Sequence, residues 1–190
     1  MKITKRFINS LDPCFTLHEF WLKSKKPDLA DFMLHALNEN HFKWAIWLFV
    51  RSVDKITNVK LALFSAEQVL HIFEKAYPKD NRPRLAIQAT KDYIANPCKE
   101  TADAVAYTTR AVASSAEVAH ADAVASDYSP DSTAVYATSA VAYDPIYDPT
   151  YDPTTVYGAL YAAVVAVHYD TTVAPTIIDY TIYLLKEKPL

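Results

Sequence analysis

Apolar residues recur at three- and four-residue intervals along much of the chain, which is the period of an α-helix buried on one side. The clearest case is residues 62–77, where an apolar stripe ends at a polar corner that contains proline. A second amphipathic segment follows this corner. The pattern predicts a helical hairpin over residues 62–95, with Asp80 or Asn81 as the cap of its second helix and Pro83 in the first turn.

The same periodicity predicts further helices on both sides of the hairpin. The segment 41–53 is almost continuously apolar, so its helix is expected to be buried on most sides. Thr57 or Asn58 is expected to cap the first helix of the hairpin. Two other helices are expected from Asp12–Pro13 to residue 24 and from Pro27–Asp28 to Asn38. Further helices are expected to begin at Asn96–Pro97, at Ser129–Pro130 and at Asp152–Pro153, the last of these running to Val167, and a final one covers residues 175–186. Asp12 and Asn96 are expected to cap their helices, with the following proline at the first helical position.

Composition supports an all-α fold. The chain has 190 residues, 51% of them hydrophobic, and contains one glycine. So little glycine excludes Gly-rich phosphate loops and the tight turns of most β-hairpins. We therefore predict one domain over residues 1–190, a bundle of eight or nine mostly antiparallel helices with a Tyr-Asp-Pro strap. Residues 1–99 would form a basic half of it and residues 100–190 an acidic, Ala/Tyr-rich half.

The net charge of −3 conceals an asymmetry between the two halves. Residues 1–99 contain 16 Lys and Arg against 10 Asp and Glu, whereas residues 100–170 contain Arg110 alone against 10 acidic residues. Eleven of the 13 tyrosines also lie after residue 100. An acidic and aromatic half should attract a basic protein partner, and it disfavours direct binding of nucleic acid because phosphate contacts need positive charge.

Residues 143–153 repeat Tyr-Asp-Pro with a period of four. Each proline lacks an N–H and disfavours helical conformation at the residue before it, so a strap of turns or polyproline-like backbone is expected. The strap is either a partner-binding surface, since Tyr and Asp suit contact with a basic protein, or a spacer. The predicted partner-binding residues are Asp127, Tyr128, Tyr143, Asp144, Tyr147, Asp148, Tyr151 and Asp152.

Charged residues also gather at the hairpin. Arg82 and Arg84 lie near its corner, and Glu67 and Glu74 lie on the preceding helix, so a carboxylate could receive a guanidinium. One interpretation is a set of structural ion pairs that fixes the angle between the helices. The other is a site for a small anionic ligand, anchored by the two arginines.

Motifs for catalysis or metal binding are lacking in the sequence. Glu117 and His120 have Glu-x-x-His spacing, but a di-iron site needs a second such pair. There is no Gly-x-Ser-x-Gly elbow, and Cys14 and Cys98 fit no nucleophile or metal motif, so they are expected to be free thiols. We expect a cytoplasmic protein that is not an enzyme and uses no cofactor or metal, and no apolar run is long enough to span a bilayer.

The hairpin carries a resemblance to a known family. The run from Ala66 to Glu74, followed by Pro78, Asp80 and residues 82–87, resembles the hairpin of type-five-like immunity proteins. These are small α-helical proteins of bacterial polymorphic toxin systems, and phages also carry them. The apolar run in residues 44–48 is similar to that family as well.

Two hypotheses for function follow. In the first, which the resemblance and the charge asymmetry both favour, the chain is a non-enzymatic inhibitor that neutralises a toxin or defence effector through its acidic, Tyr-rich surface. In the second, a phage-encoded helical bundle sequesters a small anionic signal such as a nucleotide, with Arg82 and Arg84 as anchors.

Overall fold

The structure is a computed structural model that describes residues 2–108, 163–164, 166–167 and 170–187. The chain is all-α, as predicted. The α-helices whose two ends both lie in these ranges are α1 (Lys5–Ser10), α2 (Phe15–Ser24), α3 (Leu29–Asn38), α4 (Phe42–Val50), α5 (Lys55–Ala76), α6 (Arg82–Ala95) and α7 (Ala174–Glu187). Residues 99–108 are also helical, and a 3-10 helix (Thr171–Val173) precedes α7.

The chain divides into two compact units, and the first comprises residues 1–53 and 174–190. In it α3 packs against α2, α4 and α7. Helix α4 is buried on most sides, as its composition predicts, because five of its nine residues are inaccessible to solvent. The largest fully buried side chains of this unit are Ile8, Leu17, Leu29, Phe32, Met33, Ile46, Leu48, Phe49, Val50, Ile177 and Ile178.

The ring of Phe20 joins α2 to the helices beside it. It stacks on His35 of α3 with the ring centroids 5.1 Å apart, and it meets His41 edge-on at 4.8 Å. Trp44 of α4 lies 5.2 Å from the same ring. These two histidines therefore serve as packing surfaces for aromatic side chains.

Helix starts in the first unit agree with the sequence at α3 and differ at α2. Helix α3 begins where the sequence predicts, and Asp28 caps it, because its carboxylate accepts the Ala30 N–H at 3.0 Å. The predicted cap at Asp12 is wrong: α2 begins at Phe15, with Cys14 at the cap position. Asp12 instead has a φ of 47°, a left-handed conformation between α1 and α2.

The second unit comprises residues 54–173, and its described part is dominated by the hairpin of α5 and α6. The predicted hairpin is confirmed, with Pro83 in the first turn of α6. The predicted cap of α5 is wrong by one turn. Asp54 caps this helix, because its carboxylate accepts the Thr57 N–H at 2.8 Å.

The next helix also begins later than the sequence indicates. Helical residues start at 99, and the expected cap, Asn96, instead follows the last residue of α6. Thr101 secures this junction, since its hydroxyl donates to the carbonyl of Asn96 at 2.8 Å and accepts the Cys98 N–H at 3.2 Å. The helix predicted from Ser129, the Tyr-Asp-Pro strap and the start of the helix predicted from Asp152 lie outside the described residues. Of that last helix, residues 163–164 and 166–167 are described and are helical, as predicted. The single domain over residues 1–190 stays a prediction.

Replacement of Phe49 by alanine should destabilise the protein by about 3–5 kcal/mol, since its ring is fully buried in α4 and would leave a cavity. Urea denaturation of the wild type and the variant measures this difference. Lys43→Ala is the matched control, because Lys43 is exposed on the same helix. A loss below about 1 kcal/mol for Phe49→Ala would contradict the burial described here.

Candidate functional site

Two ion pairs follow one edge of the hairpin. Glu74 on α5 accepts the Nε–H of Arg84 on α6 at 2.9 Å, and the carboxylate of Glu67 lies 2.7 Å from the ammonium of Lys91. The two acids lie seven positions apart on α5, and the two cations lie seven positions apart on α6. Such spacing repeats after two helical turns, so both pairs lie on the same side of an antiparallel hairpin.

These pairs contribute little to stability by themselves. The side chain of Arg84 is 66% exposed and that of Lys91 is 47% exposed, so water screens both interactions. Exposed ion pairs of this kind contribute about 1 kcal/mol or less. Their main effect is to favour the register in which acids of α5 meet cations of α6.

Asp80 organises the corner between the two helices. Its carboxylate accepts the backbone N–H of Arg82 at 3.0 Å and the Nε–H of the same residue at 2.8 Å. The side-chain hydrogen bond from Arg82 lowers the pKa of Asp80, since it favours the charged carboxylate. Asn81 occupies the cap position without a side-chain bond to the helix, so Asp80 performs the capping.

The structure therefore gives each predicted charged residue of the hairpin a partner. Arg84 pairs with Glu74, and both belong to the charged group predicted from the sequence. Arg82 pairs with Asp80, which that predicted group does not include. The partner of Glu67, Lys91, was missed by sequence reasoning, although its seven-residue distance from Arg84 could have indicated it. A small anion at either arginine would compete with a carboxylate, and this favours the structural interpretation of these pairs.

An open concavity of about 620 Å³ lies at the corner. Its described lining residues are Tyr77, Pro78, Lys79, Asp80, Asn81 and Arg82. The ring of Phe73 lies 5.0 Å from that of Tyr77 and supports it. The concavity thus combines an aromatic ring, a proline and a lysine on a backbone that Asp80 fixes.

Other predicted features fall mostly outside the described residues. The eight predicted partner-binding residues between Asp127 and Asp152 lie there, as do Glu117 and His120. Within the described ranges, His, Cys, Asp and Glu form no group of three that could hold a metal ion. Cys14 and Cys98 are free thiols, as predicted. None of the helices described is both long and apolar enough to cross a membrane.

Asp80→Asn should destabilise the protein at neutral pH by about 1–2 kcal/mol, because the amide keeps the cap acceptor and loses the charged bond to Arg82. A carboxyl whose folded pKa is lowered stabilises the protein above its unfolded pKa and loses this effect as the pH falls through the folded pKa. The difference from wild type should therefore shrink below about pH 4. Thermal unfolding across pH measures it.

The control for this experiment is Asp179→Asn, which removes an exposed carboxylate of α7. It should change the unfolding temperature little at neutral pH. An equal effect of the two substitutions, or a difference for Asp80→Asn that does not change with pH, would contradict the role given to the bond between Asp80 and Arg82.

Comparison with known proteins bears on the part of the chain that contains this hairpin. A family model described as "Imm-5 like putative immunity protein" matches residues 50–145. Searches of curated proteins and of solved structures return no match. The matched span covers half of the chain and includes α5, α6 and the corner between them. The chain therefore belongs to the Imm-5 like family of immunity proteins.

Proposed function

We propose that this chain is a non-enzymatic inhibitor that binds a toxin or defence effector protein and neutralises it. Membership in an immunity-protein family supports a toxin-immunity function. Such a protein can act by covering the active site or substrate channel of its partner, which requires a complementary surface and no catalytic residues. In this proposal the inhibitor acts either in a bacterial cell that protects itself from a toxin or in a host cell whose defence effector a phage neutralises. The protein is assigned to the cytoplasm in both cases.

The contact surface in this proposal is the acidic, Tyr-rich C-terminal half. The observation that carries it lies where this half begins, in helical residues 99–108. Tyr107 is 74% exposed there, and Asp103, one helical turn earlier, has a side chain that is 67% exposed. Asp103 pairs with Lys99 at 2.7 Å, but this exposed pair is weak, so a cation of a partner can compete for the carboxylate. Tyrosine and aspartate on one helical face are the side chains that a basic partner would contact.

The partner is then expected to be a basic protein. Residues 111–185 contain acidic residues and no Lys or Arg, so the net charge of this segment is negative and attracts positive charge. Attraction between surfaces of opposite charge raises the association rate and weakens as salt rises. The tyrosines would supply the apolar contact area that charge alone does not give.

The experiment is an affinity purification of the tagged full-length chain from bacterial lysate at moderate salt, with mass spectrometry of the captured proteins. We expect one basic protein in stoichiometric amount that high salt releases. Combined replacement of Tyr147, Asp148, Tyr151 and Asp152 by alanine should then weaken binding of that protein by about a hundredfold or more, since aromatic anchors and charged pairs are lost together.

The matched control removes two negative charges from the other half, in the double variant Asp12→Asn and Glu39→Gln. Both side chains are exposed, and asparagine tolerates the left-handed conformation of Asp12. This control should bind as the wild type does. Unchanged affinity of the fourfold alanine variant would show that the contact lies outside the Tyr-Asp-Pro repeat. Capture of an acidic partner would contradict the proposed surface.

A further inference from the structure

Apolar side chains are exposed at the corner of the hairpin. Tyr77 is 45% exposed and Leu85 is 51% exposed, and Pro78 between them is also exposed. Tyr77 and Pro78 line the concavity of about 620 Å³, and Leu85 follows the lining residue Arg82 by three positions on α6, on the same side of that helix. Exposed large apolar side chains beside a concavity are typical of surfaces that bind other proteins.

The corner carries a positive charge. Residues 74–85 contain four cations and two anions, and both anions are bound by the arginines described above. Lys75 and Lys79 are exposed, and neither forms an ion pair with another residue that the structure describes. Among the described residues, the cations of the corner that lie outside an ion pair are therefore these two lysines.

The backbone of the corner is held in one conformation. The N–H of Asp80 donates to the carbonyl of Tyr77 at 3.0 Å, and the Asp80 carboxylate holds both the backbone and the side chain of Arg82. Pro78 and Pro83 restrict the chain further. A surface ordered before it binds loses little conformational entropy on binding, which raises its affinity.

We infer that this corner is a second docking surface, which binds an acidic segment of a partner protein. Tyr77 and Leu85 contact an aliphatic or aromatic side chain of the segment, and Lys75 and Lys79 pair with its carboxylates. The surface differs from the acidic half in residues and in sign of charge, so it goes beyond the function proposed above. A chain with both surfaces can bind partner regions of opposite charge.

The test uses the full-length protein and a short fluorescein-labelled peptide in which glutamates alternate with leucine and phenylalanine. Fluorescence anisotropy should show saturable binding that weakens as salt rises. Lys79→Glu should weaken binding about tenfold or more, because it turns an attraction into a repulsion. Tyr77→Ser and Leu85→Ser should each weaken it about fivefold or more, because they remove apolar anchors.

Lys43→Glu is the matched control, since it reverses an exposed lysine on α4 and changes the net charge equally. It should bind the peptide as the wild type does, and a peptide with glutamines in place of glutamates should not bind. Equal losses for Lys79→Glu and Lys43→Glu, equal binding of both peptides, or no saturable binding would overturn the inference. The fourfold alanine variant of the acidic half should still bind, so this test is separate from the proposed function.

A small anion in the concavity is the competing occupant. Thermal unfolding of the wild type and of Arg82→Gln with added AMP or ATP distinguishes it. A rise in melting temperature that depends on Arg82, together with displacement of the peptide by the nucleotide, would assign the corner to a nucleotide and overturn the peptide surface. No shift with either nucleotide supports the acidic segment as the occupant.

Discussion

The apolar seam between α5 and α6 is the interaction on which the candidate site depends. Ala66, Val69 and Phe73 on α5 and Ala86 and Ile87 on α6 are buried. Burial of a large apolar side chain contributes about 1.5–3 kcal/mol, whereas an exposed ion pair contributes about 1 kcal/mol or less. The seam therefore holds the helices together, and the charged pairs along its edge select among registers. The seam and the charged pairs together determine the geometry of the corner.

The ion pairs of the hairpin determine which of its cations are available to a partner. The arginines of the corner are engaged with carboxylates of the same hairpin, as suits a guanidinium that can donate several hydrogen bonds at once. The lysines remain exposed there because a flexible ammonium gains little from a fixed pair on the surface. A binding role for the corner thus rests more on Lys75 and Lys79 than on the arginines that the sequence emphasises.

The sequence predicts much of this arrangement and misses its details for identifiable reasons. Apolar periodicity locates α3, α4, the hairpin and α7, since burial on one side leaves a regular trace in the sequence. Caps are harder, because Asp54, Thr57 and Asn58 can all cap a helix, and only the backbone shows which oxygen reaches a free N–H. The pair of Glu67 with Lys91 depends on the packing of two helices, which neither helix specifies alone.

The hairpin corner and the helix ends of the first unit change the direction of the chain by different means. With a single glycine available, three non-glycine residues of the first unit, Asp12, Lys25 and Asn40, adopt left-handed conformations where helices end. This conformation costs about 1 kcal/mol or more for Lys25, and less for Asp12 and Asn40, whose short polar side chains tolerate it. The hairpin corner turns instead with Pro78 and Pro83, and positive φ does not occur in its described residues. Proline fixes φ in the folded turn and lowers the entropy of the unfolded chain, so this turn is ordered without backbone strain, a property that favours binding.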